Sequence, residues 1–243
     1  MKYLLSTTLF LTFLLTSCDQ IKSTFEEAPV DKNLVQTFHK NGKIKSEIRL
    51  DENKKRHGIV KQYYESGTIK NEIEYAHGTK LNAVQYYKTG GKQMEFLYKN
   101  GLKHGERKKY WQNGKLQSVL EYAENNPKTG LIEYNKKGEK ITSYPKLVIN
   151  QIDNLETSGE YIVQVYFSSN RQRGNYYQGK LDNGALDTQF LSKLKESSHK
   201  GIITFRPVPG TFIMKKIDVV GQYKTPQGNP YIVQKSINVA IDF

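Results

Sequence analysis

The side chains in this 243-residue chain whose chemistry could matter most are few: one cysteine (Cys18), five histidines, and glutamates at regular spacing. A thiol can attack, ligate a metal or accept an acyl chain; an imidazole can move protons near neutral pH or bind a metal. The spacings use little of this. One Cys excludes an intramolecular disulfide framework, and no Cys-x-x-Cys or Cys/His spacing marks a structural zinc. His57, His77 and His104 each directly precede Gly, which reads as turn chemistry rather than catalysis. Glu47, Glu72 and Glu95 fall at one repeating position, which points to cross-strand pairing with Lys rather than an acid–base pair. No Gly-x-Ser-x-Gly elbow, phosphate loop, dinucleotide fingerprint or His-Glu-x-x-His occurs. The expectation is a non-enzyme without metal or cofactor, with a site assembled across the fold left open.

A second set suits recognition. Tyr64, Tyr87 and Trp111 recur in step, and Arg107, Lys108 and Lys109 lie just before Trp111. An amphipathic aromatic beside cations fits an interface. These six residues are the candidate binding site, and the same aromatics could equally be stacked structural rungs.

Their spacing belongs to a repeat. His39-Lys-Asn-Gly42, Tyr64-Glu-Ser-Gly67, Tyr87-Lys-Thr-Gly90, Trp111-Gln-Asn-Gly114 and Asn135-Lys-Lys-Gly138 align at intervals of 23 to 25 residues. Each is preceded by an aromatic: Phe38, Tyr63, Tyr86, Tyr110 or Tyr134. Downstream, Ile48, Ile73, Phe96 and Leu120 align, as do Leu50, Tyr75, Tyr98 and Tyr122. Within Ile69–Tyr75 the period is two: Ile69, Ile73 and Tyr75 on one side, Lys70, Glu72 and Glu74 on the other, as in a half-buried strand. The Asn-Gly and Ser-Gly pairs suit hairpin turns. Each unit is a β-hairpin that must stack on its neighbours to bury its apolar side.

Beyond residue 145 the period stops. Strands are expected at 146–152, 161–168, 176–181, 202–207, 212–223 and 231–241, with one short helix over Asp187–Ser197; the Arg171–Tyr177 loop reads first as a solvated hairpin tip and second as a contact site. This predicts a small immunoglobulin-like β-sandwich, although no Cys…Trp…Cys pattern accompanies it. The expected class is all-β: a hairpin repeat array at 34–145, about five units, followed by a β-sandwich domain at 146–243.

The net charge is +13, of which residues 34–145 carry +10 (22 Lys and Arg against 12 Asp and Glu). Such a field favours anionic partners, though scattered Lys also keeps exposed strands from pairing. A mean hydropathy of −0.68 excludes a multi-span membrane protein. The N-terminus differs: Lys2 precedes an apolar run from Leu4 to Leu15, too short for an ordinary span, and then Leu15-Thr-Ser-Cys18.

The segment Leu15-Thr-Ser-Cys18 resembles the lipobox of bacterial lipoproteins. That resemblance implies a signal peptide at 1–17, diacylglycerol and acyl chains on Cys18, a tether at 18–33, and a lipid anchor on a bacterial envelope membrane, inner or outer. The repeats, in Tyr63-Tyr64-Glu-Ser-Gly67, Glu72-Ile-Glu-Tyr75 and Gly101-Leu-Lys-His-Gly105, resemble the MORN repeat in the variant form often labelled YwqK-type antitoxin. Lys80-Leu81 departs by replacing His-Gly, and Val119 by replacing the recurrent Glu. The combined expectation is an envelope lipoprotein serving as a non-catalytic binding or scaffold module for a protein or surface partner. The alternatives are direct anionic-lipid binding by the basic array, or neutralisation of an envelope toxin. Nucleic acid is not expected in that compartment.

Overall fold

The computed structural model describes residues 31–169 and 174–243; the signal peptide, Cys18 and Arg171–Arg173 lie outside them. The first part is one antiparallel meander of twelve strands: β1 (Leu34–Phe38), β2 (Ile44–Arg49), β3 (Gly58–Tyr63), β4 (Ile69–Ala76), β5 (Thr79–Tyr86), β6 (Lys92–Lys99), β7 (Leu102–Lys103), β8 (Gly105–Tyr110), β9 (Leu116–Ala123), β10 (Asn126–Pro127), β11 (Ile132–Tyr134) and β12 (Lys140–Ile141). Strands follow chain order, with β7 and β10 as short side pairs on β6 and β9. The chain is nearly all β, as the alternation predicts.

Two turn chemistries alternate along the array. At the first, the turn-leading residue closes a bond from the glycine, as in Gly67 N–H to Tyr64 O (2.9 Å), and Tyr64 N–H bonds Thr68 O. Gly67 has φ +94°, a region side chains avoid, so the glycine is required there. At the second, His77-Gly78 and Asn100-Gly101 have both central residues at positive φ, the tight hairpin form. Lys80-Leu81 has a clear consequence: β5 runs unbroken for eight residues, whereas His104-Gly105 separates β7 from β8 in the next unit.

Register places the side chains in rows across the sheet. Val60 faces Ile73, Ile73 faces Ala83, Ala83 faces Phe96, and Arg107 faces Leu120. This row, apolar except for Arg107, forms the floor of one face; Val60 is 3% exposed within a single layer because its neighbours in the row shield it. A polar row runs beside it: Ser46 faces Gln62, Gln62 faces Asn71, Asn71 faces Gln85, Gln85 faces Met94, Met94 faces Lys109, and Lys109 faces Ser118.

The second part comprises β13 (Leu147–Asn154), α1 (Leu155–Ser158), β14 (Glu160–Phe167), β15 (Gly174–Gln178), a 3₁₀ turn (Thr188–Phe190), β16 (Ser192–Lys193), β17 (Lys195–Ser197), β18 (Lys200–Phe205), β19 (Phe212–Lys224) and β20 (Pro230–Asp242). Two four-stranded sheets, β13-β14-β18-β17 and β16-β15-β19-β20, face each other. In immunoglobulin lettering these are A-B-E-D and C′-C-F-G, so the topology is that of the immunoglobulin sandwich. Leu147, Val163, Val165 and Phe167 of one sheet meet Tyr176, Ile217, Val219, Val239 and Ile241 of the other. The sheets approach so closely at Gly221 that a Cβ there would lie 2.5 Å from Leu147 and 2.9 Å from Phe167.

The helix expected over Asp187–Ser197 is corrected to a single 3₁₀ turn followed by β16 and β17. Asp187 does cap it, accepting from Gln189 N–H at 3.0 Å. Phe190, however, is 83% exposed while Leu194 is buried, so no continuous helical stripe exists to be covered. The extended backbone instead lets Leu194 N–H bond Tyr176 O at 2.9 Å.

Candidate binding surface

Tyr64, Tyr87 and Trp111 are rungs between units. Tyr64 Oη donates to Tyr86 O (2.8 Å), Tyr87 Oη to Tyr110 O (2.6 Å) and Trp111 Nε1 to Tyr134 O (3.2 Å). His39 Nε2 makes the equivalent contact with Tyr63 O at 3.1 Å. All are half-buried, with their polar tips used on the next unit, so the row is not the open face that its alternation with Tyr63, Tyr86 and Tyr110 suggested. The β-bulge before each first turn is the reason, since it breaks the strict period of two at Tyr63, Tyr86 and Tyr110.

The recurrent Glu and Tyr form a second set of links. Tyr63 Oη donates to Glu47 (2.5 Å), Tyr86 to Glu72 (2.5 Å) and Tyr110 to Glu95. Burial, then the carboxylate accepting each bond, push all three phenols up to about 12. Burial raises the Glu95 carboxyl, but the bonds from Tyr110 and Lys92 outweigh it and leave its pKa lowered. A third set uses charge: Arg56 sits over Tyr75 (5.5 Å), Lys80 over Tyr98 (5.6 Å) and Lys103 over Tyr122 (5.7 Å), each cation covering the aromatic one unit on. Part of the array's positive charge therefore joins its own units.

Arg107 and Lys109 belong to the junction with the sandwich. Arg107 is 5% exposed, and its Nη2 donates to Asn229 Oδ1 (2.8 Å) and Ser118 Oγ (3.3 Å). Lys109 Nζ donates to Gln227 O (3.1 Å) and Asn229 Oδ1 (3.3 Å). Glu133, 2% exposed, accepts from Asn229 Nδ2 (2.5 Å) and Thr225 Oγ1 (2.7 Å). Burial lowers the pKa of both cations, and for Lys109 the neighbouring Arg107 adds to the shift. The docked segment, Thr225 to Asn229, is the connection between β19 and β20, the F–G loop of the sandwich. Tyr144 stacks on Tyr231 at 4.6 Å beside it, and Leu186 N–H bonds Pro127 O at 3.0 Å. Arg107 and Lys109 are thus removed from the exposed surface where sequence placed them. Lys108 alone of the three lies on the opposite face, within 3.3 Å of Glu106.

Glu133, Asn229 and Thr225 were missed, yet a signal existed. Arg107 stands where the preceding units have Val60 and Ala83 and the next has Leu131; Lys109 and Glu133 stand where they have Gln62 and Gln85. A charge at the floor position, Arg107, and charges in the row beside it, Lys109 and Glu133, mark the units that meet something polar.

Among the described residues, no hydrogen bond from the sandwich reaches β1–β6. The face that holds the F–G loop at β8–β11 therefore continues beyond it, presenting Gln62, Asn71 and Gln85 beside the apolar floor. A cleft of about 670 Å³ also opens between the parts, lined by Thr129, Lys180, Asp182, Asn183 and Gln234; it gathers no nucleophile with an adjacent base.

Residues 33–50, 56–77 and 103–124 match the model of a known family, the MORN repeat variant. The unit containing Lys80-Leu81 falls between the matched segments. No curated protein matches the chain. The array is similar to MORN repeats in sequence and builds the hairpin sheet those repeats imply, and its form is that of a binding or scaffold module.

Proposed function

We propose that this chain is a lipid-anchored envelope scaffold, held to a bacterial membrane through acylated Cys18, which recruits a protein partner on the β2–β6 face of its repeat array. The carrying observation is intramolecular. The same face already holds a polar turn, residues 225–229, through side chains at row positions repeated in every unit. The units nearer the N-terminus keep the row but carry Gln62 and Gln85 where the later units have Lys109 and Glu133, with Asn71 between them, so they suit a neutral, amide-bonding segment.

The test has two parts. Photo-crosslinkers at Gln62, Asn71 and Gln85 in the full chain, expressed in cells, should trap the same protein, whereas Lys61 and Val84 on the opposite face should not. Equal trapping from both faces, or none, removes the docking reading. Palmitate labelling should vanish in Cys18→Ala; its persistence removes the anchor.

The second reading, direct anionic-lipid binding, is favoured by the +10 charge of the array. It predicts co-sedimentation with anionic but not neutral vesicles, lost at high salt. Neutralisation of an envelope toxin ranks third and would use the same face.

A further inference from the structure

Three residues far apart in sequence converge on the second-turn edge of the array. Asp51 and His57 come from the connection between β2 and β3, and His77 from the turn between β4 and β5. One donor atom from each lies within 4.8 Å of the other two. Asp51 is set in place by the backbone: its Oδ1 accepts from Asn53 N–H (3.0 Å) and Lys55 N–H (2.8 Å). That leaves Oδ2 aimed at His77 Nδ1, 2.8 Å away. The two imidazole rings lie 4.6 Å apart, centroid to centroid. Both histidines are exposed and the carboxylate is nearly covered, so the cluster has a rigid base and an open mouth.

We infer that Asp51, His57 and His77 form a site for a divalent first-row cation of the zinc class. Two imidazoles and one carboxylate are a zinc-type donor set, with a fourth position open to solvent or a partner's side chain. Ligand bonds of about 2.0–2.2 Å require donor separations of about 3.3–3.6 Å, and side-chain rotation of the exposed histidines covers the difference. The carboxylate held by backbone N–H groups supplies the outer support that orients a metal ligand. The closest guanidinium in sequence, Arg56, is engaged over Tyr75 instead of facing the cluster. The ligands come from adjacent units, so the cation would lock the first two units together at the end of the array farthest from the sandwich.

Zinc binding by the full chain in detergent, with Cys18→Ser to remove the thiol, tests this by competition against a chromophoric chelator. One equivalent should bind, weakened about tenfold or more by His57→Asn and by His77→Asn. Asn tolerates the φ of +46° at His77 and can still bond Asp51, so that variant keeps the turn. His104→Asn, at an equivalent turn without the cluster, should leave affinity unchanged. No stoichiometric binding, or equal loss in all three variants, overturns the assignment.

Discussion

Arg107 donates to the side-chain oxygen of Asn229, 2.8 Å away and 122 residues further along the chain, and Asn229 in turn donates to Glu133. An asparagine amide thus bridges a buried cation and a buried anion, its oxygen on the first and its nitrogen on the second. Burying either charge is costly without such a partner, and the amide offsets that cost through Arg107 Nη2 and the Glu133 carboxylate, while the buried Arg107 Nε stays unbonded among the described residues.

Asn229→Ala should therefore lower stability by about 2–4 kcal/mol, since it strips hydrogen bonds from two charged groups at once. In urea, the loss should also separate the array and the sandwich into two unfolding transitions. A single transition shifted by less than about 1 kcal/mol would show that other contacts hold the junction.

The Tyr–Glu links give the array an alkaline limit. Tyr63, Tyr86 and Tyr110 have their pKa raised to about 12 by burial and then by the accepting glutamates, against an unfolded value near 10. The folded state holds these protons more tightly, so the contribution is complete below about pH 10 and is lost as pH rises toward 12. Phenolate absorbance should show these three tyrosines titrating late. Each Tyr→Phe variant should remove one late step.

The carbonyl rungs predict a different response. Tyr64→Phe and Tyr87→Phe each delete one hydroxyl that bonds the next unit, at a cost of about 1 kcal/mol. The two rungs share no hydrogen-bonding partner, so the double variant should lose close to the sum. A thermal-melt series measures this, and a cost near zero for both would mean water replaces the bond.

Much of the fold was legible because it is local and periodic. The 24-residue spacing, the Gly turns and the period-two alternation each depend on a few neighbouring residues, so the hairpin array could be read without coordinates. The sandwich strands were legible for the same reason. The stretch at Asp187–Ser197 was not: Phe190, Leu191 and Leu194 fit a helix by spacing, but a bond from Leu194 to Tyr176 made the extended form the satisfied one.

The six surface candidates depended on something the spacing alone could not settle. Residue types predicted that Tyr64, Tyr87 and Trp111 would recur together, and they do. Which way their polar tips point was set by a bulge in each strand and by the carbonyl waiting one unit on. Arg107 and Lys109 look like surface cations until the F–G loop, more than a hundred residues away, covers them. Asp51, His57 and His77 share no motif and meet only because stacked units bring successive turns to one edge. Local pattern determines which strands form and which face of each is apolar; long-range packing decides which polar groups are consumed in holding the parts together and which remain free to bind.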